Sequence, residues 1–193
     1  MLGAVLALAA IVLVVVSNPR TSGSTCGRRA QVATLSDIGR HEVDFVPVPT
    51  GIQRLRHLRQ PSGDTPDRRA IPVETTTYEI PVRLVALKRL SNHDIRLAVS
   101  APRQPSQTIN VTFPDGHCGR RARPRRRVEM KRARSALITA CGKATRKPAQ
   151  MAGSAQITGV GSFGRRAGPY SAPNGIELSP VLHFKSFGCR RWP

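Results

Sequence analysis

The chain has 193 residues and carries 31 Lys and Arg against 11 Asp and Glu, a formal net charge of +20. This length suffices for one domain with a hydrophobic core and excludes two. Such an excess of positive charge is typical of proteins with an anionic partner. However, 26 of the basic residues are Arg, and Arg, Ala, Gly and Pro have GC-rich codons, so part of the charge is expected to reflect base composition.

The N-terminus begins with an apolar run, Leu2 to Val16. A helix of that length spans about 23 Å, shorter than the roughly 30 Å hydrocarbon core of a bilayer. The run predicts a signal peptide or short membrane anchor at residues 1–17, and hence a protein secreted or anchored to the outer face of the bacterial plasma membrane. Against this, Arg20 and Arg29 follow the run and no basic residue precedes it, which favours the opposite orientation for an uncleaved anchor.

Residues 18–70 lack a sustained hydrophobic period and predict an irregular extension and linker. Within them, Val43–Val48 is a candidate short strand, limited to a sheet edge by its prolines. Gly51–Leu58 is a candidate short helix, and Pro61–Asp67 has the composition of an exposed linker.

Residues 71–186 predict the folded domain. Apolar residues alternate with polar or small ones over three stretches, which indicates three half-buried strands. The first runs from Thr76 to Ala86, the second from Ile95 to Val99 and the third from Ile109 to Phe113. The turn Ser91–Asp94 separates the first two, so an antiparallel meander is expected.

The hydrophobic period then changes to that of a helix over Val128–Cys141. Met130, Ala133 or Arg134, Leu137 and Cys141 fall on one face, and Gly142 is placed to cap the C-terminus. Two further strands follow, Ala155–Gly161 and Ile176–Phe184, joined by a loop from Gly164 to Gly175. Residues 187–193 predict a C-terminal tail.

The element order β-β-β-α-β-β, with a first strand long enough to bend and serve both halves of the sheet, is that of an OB-fold barrel. We therefore expect a mainly β fold with one helix, in the form of a small OB-fold-like antiparallel barrel. Gly159 and Gly161 suit a tightly coiled strand in such a barrel. Another small antiparallel sheet covered by one helix also fits the pattern.

Four cysteines follow the leader, and in an exported chain they predict up to two disulfides with three open connectivities. Cys118 with Cys141 is favoured because these two flank the predicted helix, which leaves Cys26 with Cys189. Neither the cysteine spacing nor the scattered histidines predict a zinc site, and no cofactor is implied.

A basic run lies between the third predicted strand and the helix, and it is the candidate anion-binding segment. Its members are Arg120, Arg121, Arg123, Arg125, Arg126 and Arg127. A basic loop at one end of an OB barrel could bind phosphate groups. The competing interpretation is an unselected flexible loop, because the chain is only 4% aromatic and cations at a helix N-terminus oppose the helix dipole.

Several segments resemble an uncharacterised family of exported bacterial proteins whose members carry a VTGVGFFD stretch and a GQTGVAPNGIELHPVL stretch. They are Glu74–Tyr78, Asp94–Ser100, Ile157–Gly161 and Ala172–Leu182, and the resemblance extends back to Cys26–Gly27 and Val46–Pro49. The resemblance implies export and supports the Cys118–Cys141 pairing, and it implies no activity. This chain departs from the family at Phe163–Tyr170 and at Ser179, where the family has a Phe-Asp pair, a His-Gly-Gln-Thr-Gly loop and a histidine. If the loop and that histidine form a site, it is altered here.

No nucleophile elbow or phosphate-cradling glycine motif occurs. Six acids are available for a thermonuclease-type site on the barrel: Glu74, Glu79, Asp94, Asp115, Glu129 and Glu177. Asp94 and Glu177 could meet across the barrel, but each also fits a purely structural place. The sequence therefore favours an exported, non-enzymatic β-barrel that acts as a binding or envelope-associated module. The alternatives are binding of a nucleic acid or anionic lipid surface through the Arg120–Arg127 segment, and a thermonuclease-type hydrolase, intact or degenerate.

Overall fold

The computed structural model describes residues 26–60, 68–166 and 168–192. The predicted leader at residues 1–17 lies outside these ranges. No helix in the described ranges is long and apolar enough to cross a bilayer. The elements in chain order are α1 (Arg28–Val32), β1 (Asp44–Pro49), α2 (Ile52–Arg56), β2 (Thr76–Arg89), β3 (Ile95–Ala101), β4 (Gln104–Phe113), α3 (Pro124–Cys141), β5 (Ala149–Phe163) and β6 (Ile176–Arg191). Short 3-10 turns lie at Ile38–Glu42, Val73–Thr75 and His117–Gly119.

The sheet closes into a barrel-like ring. Its strand order is β1-β2-β3-β4-β6-β5, and β5 returns to pair with β2. The pairs β2–β3, β3–β4, β5–β6 and β2–β5 are antiparallel, whereas β4–β6 and β1–β2 are parallel. The predicted mainly β fold with one main helix is confirmed, and the long first strand of the ring, β2, does pair with a neighbour on each side.

The core follows from the alternation seen in the sequence. Inward side chains from β3 and β4, such as Leu97, Val99, Ile109 and Val111, are fully buried. A β-bulge in β2 between Leu84 and Ala86 shifts the register by one residue. Because a shift of one residue reverses the faces, Leu87 points into the core beyond the bulge.

The two glycines predicted for a tightly coiled strand lie where β5 approaches other backbone. A Cβ on Gly161 would overlap the carbonyl oxygen of Val73, and one on Gly159 would lie 3.0 Å from the carbonyl oxygen of Pro180. A side chain at either position would push the neighbouring backbone away, so both glycines are required for close packing.

Helix α3 begins at Pro124, four residues before the predicted start. Proline is well tolerated at the first helical position and arginine is a good helix former, so the basic run enters the helix. The predicted inward face is confirmed, since Met130, Ala133, Leu137 and Cys141 are buried. Gly142 has a φ of +78° and ends the helix as predicted.

The residues before β2 are more ordered than the sequence indicated. The strand and short helix predicted in this segment are present as β1 and α2, and Ile52 and Leu55 of α2 belong to the main core. At the other end, β6 continues to Arg191 through residues predicted as a tail, because it pairs with β5 as far as Met151–Arg191.

The predicted disulfide pairing is wrong, although all four cysteines form disulfides. Cys26 is bonded to Cys118 and Cys141 to Cys189, with Cα atoms 5.6 and 5.2 Å apart. Cys141 ends α3 where the helix packs against β6, which carries Cys189, whereas Cys118 lies in the turn before α3, beside Cys26 of the first described segment. Two disulfides are typical of a protein that folds in an oxidising environment.

Buried charges join the first described segment to the barrel. The side chain of Arg69 is fully buried and donates to both carboxylate oxygens of Asp37 at 2.6 and 3.0 Å, and to the carbonyl of Glu74 at 2.8 Å. The Glu74 carboxylate in turn accepts from Arg29 at 2.9 Å and from the Phe163 N–H at 2.8 Å. We call this set of residues the buried charge network.

We predict that Asp37→Asn lowers the free energy of unfolding by about 3–5 kcal/mol, because the Arg69 charge is left buried without its partner. The matched control is Arg125→Gln, which removes an ion pair whose arginine is 82% exposed and should cost less than about 1 kcal/mol. Urea unfolding of both variants measures the two values, and equal losses would contradict the assignment.

The disulfides predict a specific peptide map. Under non-reducing conditions trypsin should release residues 21–28 linked to 104–120, and residues 135–143 linked to 186–190. Mass spectrometry before and after reduction identifies both pairs. Recovery of 104–120 linked to 135–143 would show the pairing favoured by the sequence instead.

Candidate functional site

An open cavity of about 840 Å³ lies where three connections of the barrel meet, and we call it the basic cleft. The connections are the β2–β3 turn, the segment between α3 and β5, and the β5–β6 loop. Its charged lining consists of Lys88, Arg89, Arg146 and Arg165, beside Leu90, Ser91 and Asn92. With β2 to β6 counted as the five strands of an OB barrel, the β2–β3 turn and the β5–β6 loop are the two loops that border the polymer-binding face of such barrels.

The four cations of the basic cleft are exposed and carry no counter-charge. Within the described ranges, the ion pairs involve other basic residues, and none of these four has a carboxylate within 4.0 Å. Four positive charges lining one concave surface produce a positive potential that attracts anions and weakens with added salt. The cleft is therefore suited to an anionic ligand.

The borders of the cleft are held by backbone and side-chain hydrogen bonds. The Arg89 N–H donates to the Thr145 carbonyl at 2.8 Å and so ties the β2 end to the segment after α3. The β5–β6 loop is closed by a 2.8 Å bond from the Gly164 N–H to the Gly175 carbonyl. Asn174 fixes the same loop by donating to the carbonyls of Leu55 and Leu58, both at 2.9 Å. Much of the binding surface is thus preformed.

A smaller cavity of about 190 Å³ adjoins the cleft on the outer face of β2, β3 and β4, and we call it the Arg96 pocket. It shares Lys88 and Leu90 with the basic cleft. Arg96 is about one-third exposed, and its closest acidic atom is Oε2 of Glu177 at 3.9 Å. No hydrogen bond of its guanidinium is found within the described residues, and its Nε is buried without a partner.

The Glu177 side chain is 17% exposed, and its Oε2 lies 3.9 Å from the Arg96 guanidinium. Burial raises the pKa of this carboxyl above its ordinary value, and the Arg96 charge opposes that rise. The carboxylate is packed against the start of the β5–β6 loop, since a Cβ on Gly164 would lie 2.8 Å from the Glu177 Cδ. Glycine at position 164 therefore allows the loop to cover Glu177 closely.

The six arginines of the basic run do not form one loop. Arg120, Arg121 and Arg123 precede α3, while the other three occupy its first turn. Arg125 and Arg126 form ion pairs with Glu129, and the Arg126 guanidinium also lies 3.5 Å from the centre of the Phe45 ring. The remaining four arginines are exposed and have no ion pair within the described ranges.

Arg127 is the member of the run that lines a cavity. With Lys131 and Arg134 it borders a space of about 420 Å³ beside α3. Arg134 is already engaged, because it donates to the carbonyls of Phe113 and His93, each at 2.8 Å. The basic run is thus divided between the segment before α3 and the first turn of the helix, and binding of an anion by these arginines stays a prediction.

Several of the acids considered for a hydrolase are engaged in structural contacts. The Asp94 carboxylate accepts from the Asn92 side chain at 2.7 Å and the Asp115 N–H at 2.9 Å, which closes the β2–β3 turn as a structural residue. Glu74 belongs to the buried charge network. Across residues 26–60, 68–166 and 168–192, no group of three or more His, Cys, Asp and Glu side chains has the arrangement of a metal site.

The two positions that depart from the family resemblance lie in different surroundings. The β5–β6 loop contributes Arg165 to the basic cleft. Ser179 is fully buried, and its hydroxyl lies 3.5 Å from the Ala33 carbonyl, on the side covered by the first described segment. A histidine at position 179 would therefore not line the cleft beside the loop.

Comparison of the chain with protein-family models, with curated proteins and with solved structures finds no match in any of the three. The functional argument accordingly depends on the geometry of the cleft and the pocket.

The raised pKa of Glu177 predicts a pH-dependent stability. The folded protein holds a proton on this carboxyl more readily than the unfolded chain does. The resulting contribution to the free energy of unfolding is full at low pH and is lost as pH rises through the folded-state pKa. We expect Glu177→Gln to raise the melting temperature relative to the parent by more at pH 7 than at pH 4. The control is Glu42→Gln at an exposed carboxylate, and a difference that shrinks with rising pH would contradict the shift.

Proposed function

We propose that this protein is an exported, non-enzymatic binding module of the OB type that holds an anionic polymer in the basic cleft. The observation that carries the proposal is the set of four exposed cations lining one cavity, none with an ion pair among the described residues, at the position where barrels of this type bind polymers. The disulfides and the apolar N-terminal run support action outside the cytoplasm, secreted or at the outer face of the plasma membrane.

A second candidate surface is the basic run itself. Arg120, Arg121, Arg123 and Arg127 are exposed and have no ion pair within the described ranges, so they could add affinity for the same class of ligand. Arg120, Arg121 and Arg123 are exposed, and charge on an open surface gives weaker and less selective binding than charge in a cleft. We therefore place the ligand in the cleft.

The proposal predicts that affinity for a polyanion falls linearly with the logarithm of salt concentration. The probe is a single-stranded DNA 20-mer, used as a generic polyanion, and each phosphate contact contributes about 0.7 to the slope. Arg89→Gln combined with Arg146→Gln should lower the slope by about 1.4. Fluorescence anisotropy over a salt series measures it.

The matched control removes the same charge at the far end of the β2–β3 pairing, through Arg83→Gln combined with Arg103→Gln. It should leave the slope nearly unchanged, because both arginines are exposed and far from the cleft along the strands. A third variant replaces Arg120, Arg121, Arg123 and Arg127 by Gln. If this variant flattens the slope more than the cleft variant, the basic run is the site. If the protein binds anionic vesicles and no polymer, a membrane surface is the partner and the proposal is wrong.

A further inference from the structure

The Arg96 pocket combines two cations, Arg96 and Lys88, with a mostly apolar lining. Ala86 and Ala98 provide small side chains on the strands, and Pro169 and Tyr170 enclose the space from the β5–β6 loop. Pockets of this composition, with few polar groups among apolar ones, bind compact organic ligands and orient them through the polar groups.

The Arg96 guanidinium has the donors to recognise a carboxylate. It carries five N–H groups in a planar fork, and none of them makes a hydrogen bond within the described residues. Its one ionic contact, with Glu177 at 3.9 Å, is longer than a hydrogen bond. The Arg96 side chain lines the pocket and is about one-third exposed, so an anion seated there can accept hydrogen bonds from its terminal nitrogens.

The size of the pocket restricts the ligand. Its volume is about 190 Å³, and an apolar cavity of about 150 Å³ is known to hold benzene. The space therefore fits a six-membered ring that carries one carboxylate. A free phosphate or sulfate would satisfy Arg96 but leave the surfaces of Pro169 and Tyr170 uncovered.

The walls of the pocket are fixed before any ligand arrives. The Asn110 amide, which lines the pocket, donates to the Ser171 hydroxyl at 3.3 Å, and the Gln150 amide donates to the Tyr170 hydroxyl at 3.3 Å. These bonds hold the β5–β6 loop over the strands. A preformed pocket loses less conformational entropy on binding than a mobile loop would.

The pocket and the cleft are continuous through Lys88 and Leu90, which line both. We infer that the Arg96 pocket takes one carboxylated six-membered sugar ring of an acidic polysaccharide while the rest of the chain lies along the basic cleft. The inference rests on the proposed function for the polymer and adds the chemical class of its unit. OB barrels are known to accept oligosaccharides on the corresponding face.

The test measures binding of four probes to the full protein by isothermal titration calorimetry. They are a galacturonate trimer, the same trimer as its methyl ester, benzoate, and inorganic phosphate. The galacturonate trimer should bind, its methyl ester should bind at least tenfold more weakly, and phosphate should not compete for the pocket. Benzoate separates a sugar ligand from another ring carboxylate.

Arg96→Gln should lower the affinity for the galacturonate trimer at least tenfold. It should leave the salt slope for binding of the DNA 20-mer nearly unchanged. Arg96→Lys keeps the charge without the planar fork and should give an intermediate loss, and Arg83→Gln is the matched control with no expected effect. Melting temperatures establish that each variant is folded, and Arg96→Lys keeps the inference testable if Arg96→Gln does not fold.

The outcomes separate the two proposals. If the DNA probe depends on Arg89 and Arg146 but galacturonate binding is absent or insensitive to Arg96, the ring inference is wrong and the proposed function stands. If galacturonate binding depends on Arg96 but no polyanion depends on the cleft, the proposed function is wrong. Binding of benzoate at Arg96 without binding of galacturonate overturns the assignment to a sugar.

Discussion

Burial of the Arg69 guanidinium constrains both the N-terminal part of the described chain and the closure of the barrel. A fully buried charge is tolerated only when its hydrogen bonds and counter-charge are supplied, and Asp37 supplies both from the first described segment. The network continues through the Glu74 carboxylate to the backbone N–H of Phe163, which is the last residue of β5. The hydrogen bond from the Phe163 N–H to the Glu74 carboxylate therefore fixes the backbone of β5 just before the β5–β6 loop begins. Because that loop walls the Arg96 pocket and contributes Arg165 to the cleft, the shape of the candidate site depends on the buried charge network.

The fold class could be predicted because local patterns determine it. Alternation of apolar residues predicted β2, β3 and β4. The helical period predicted the buried face of α3, and Gly142 predicted where this helix ends. The disulfide pairing could not be predicted in the same way, because it depends on the packing of α3 against β6, which brings Cys141 to Cys189. The continuation of β6 to Arg191 likewise depends on pairing with a distant strand.

The candidate site was not visible in the sequence because its cations come from separate segments. Lys88 and Arg89 end one strand, Arg146 follows the helix and Arg165 follows β5, so no window of the sequence contains the group. The contiguous Arg120–Arg127 run was the stronger indication of an anion site in the sequence, although three of its arginines lie in α3 and three precede it. Many other arginines hold backbone carbonyls, as Arg56 does with Thr108 at 2.6 Å and Arg191 with Lys143 at 2.6 Å. Such arginines add to the net charge while acting as structural cross-links, so the total charge is a poor guide to where an anion binds.

The positions of the two disulfides also govern how the molecule would carry tension. The first closes residues 26–118 into a covalent loop that contains β1 to β4, and the second closes 141–189, which contains β5 and most of β6. Force applied between the two ends of the described chain passes through the disulfides and bypasses both loops. Of the regular strands and α-helices, α3 is the one that lies wholly in the load path between them. Tension between these two ends would act on α3 and on Arg190 and Arg191 at the end of β6, whereas the segments enclosed by the disulfides could not be unravelled from either end.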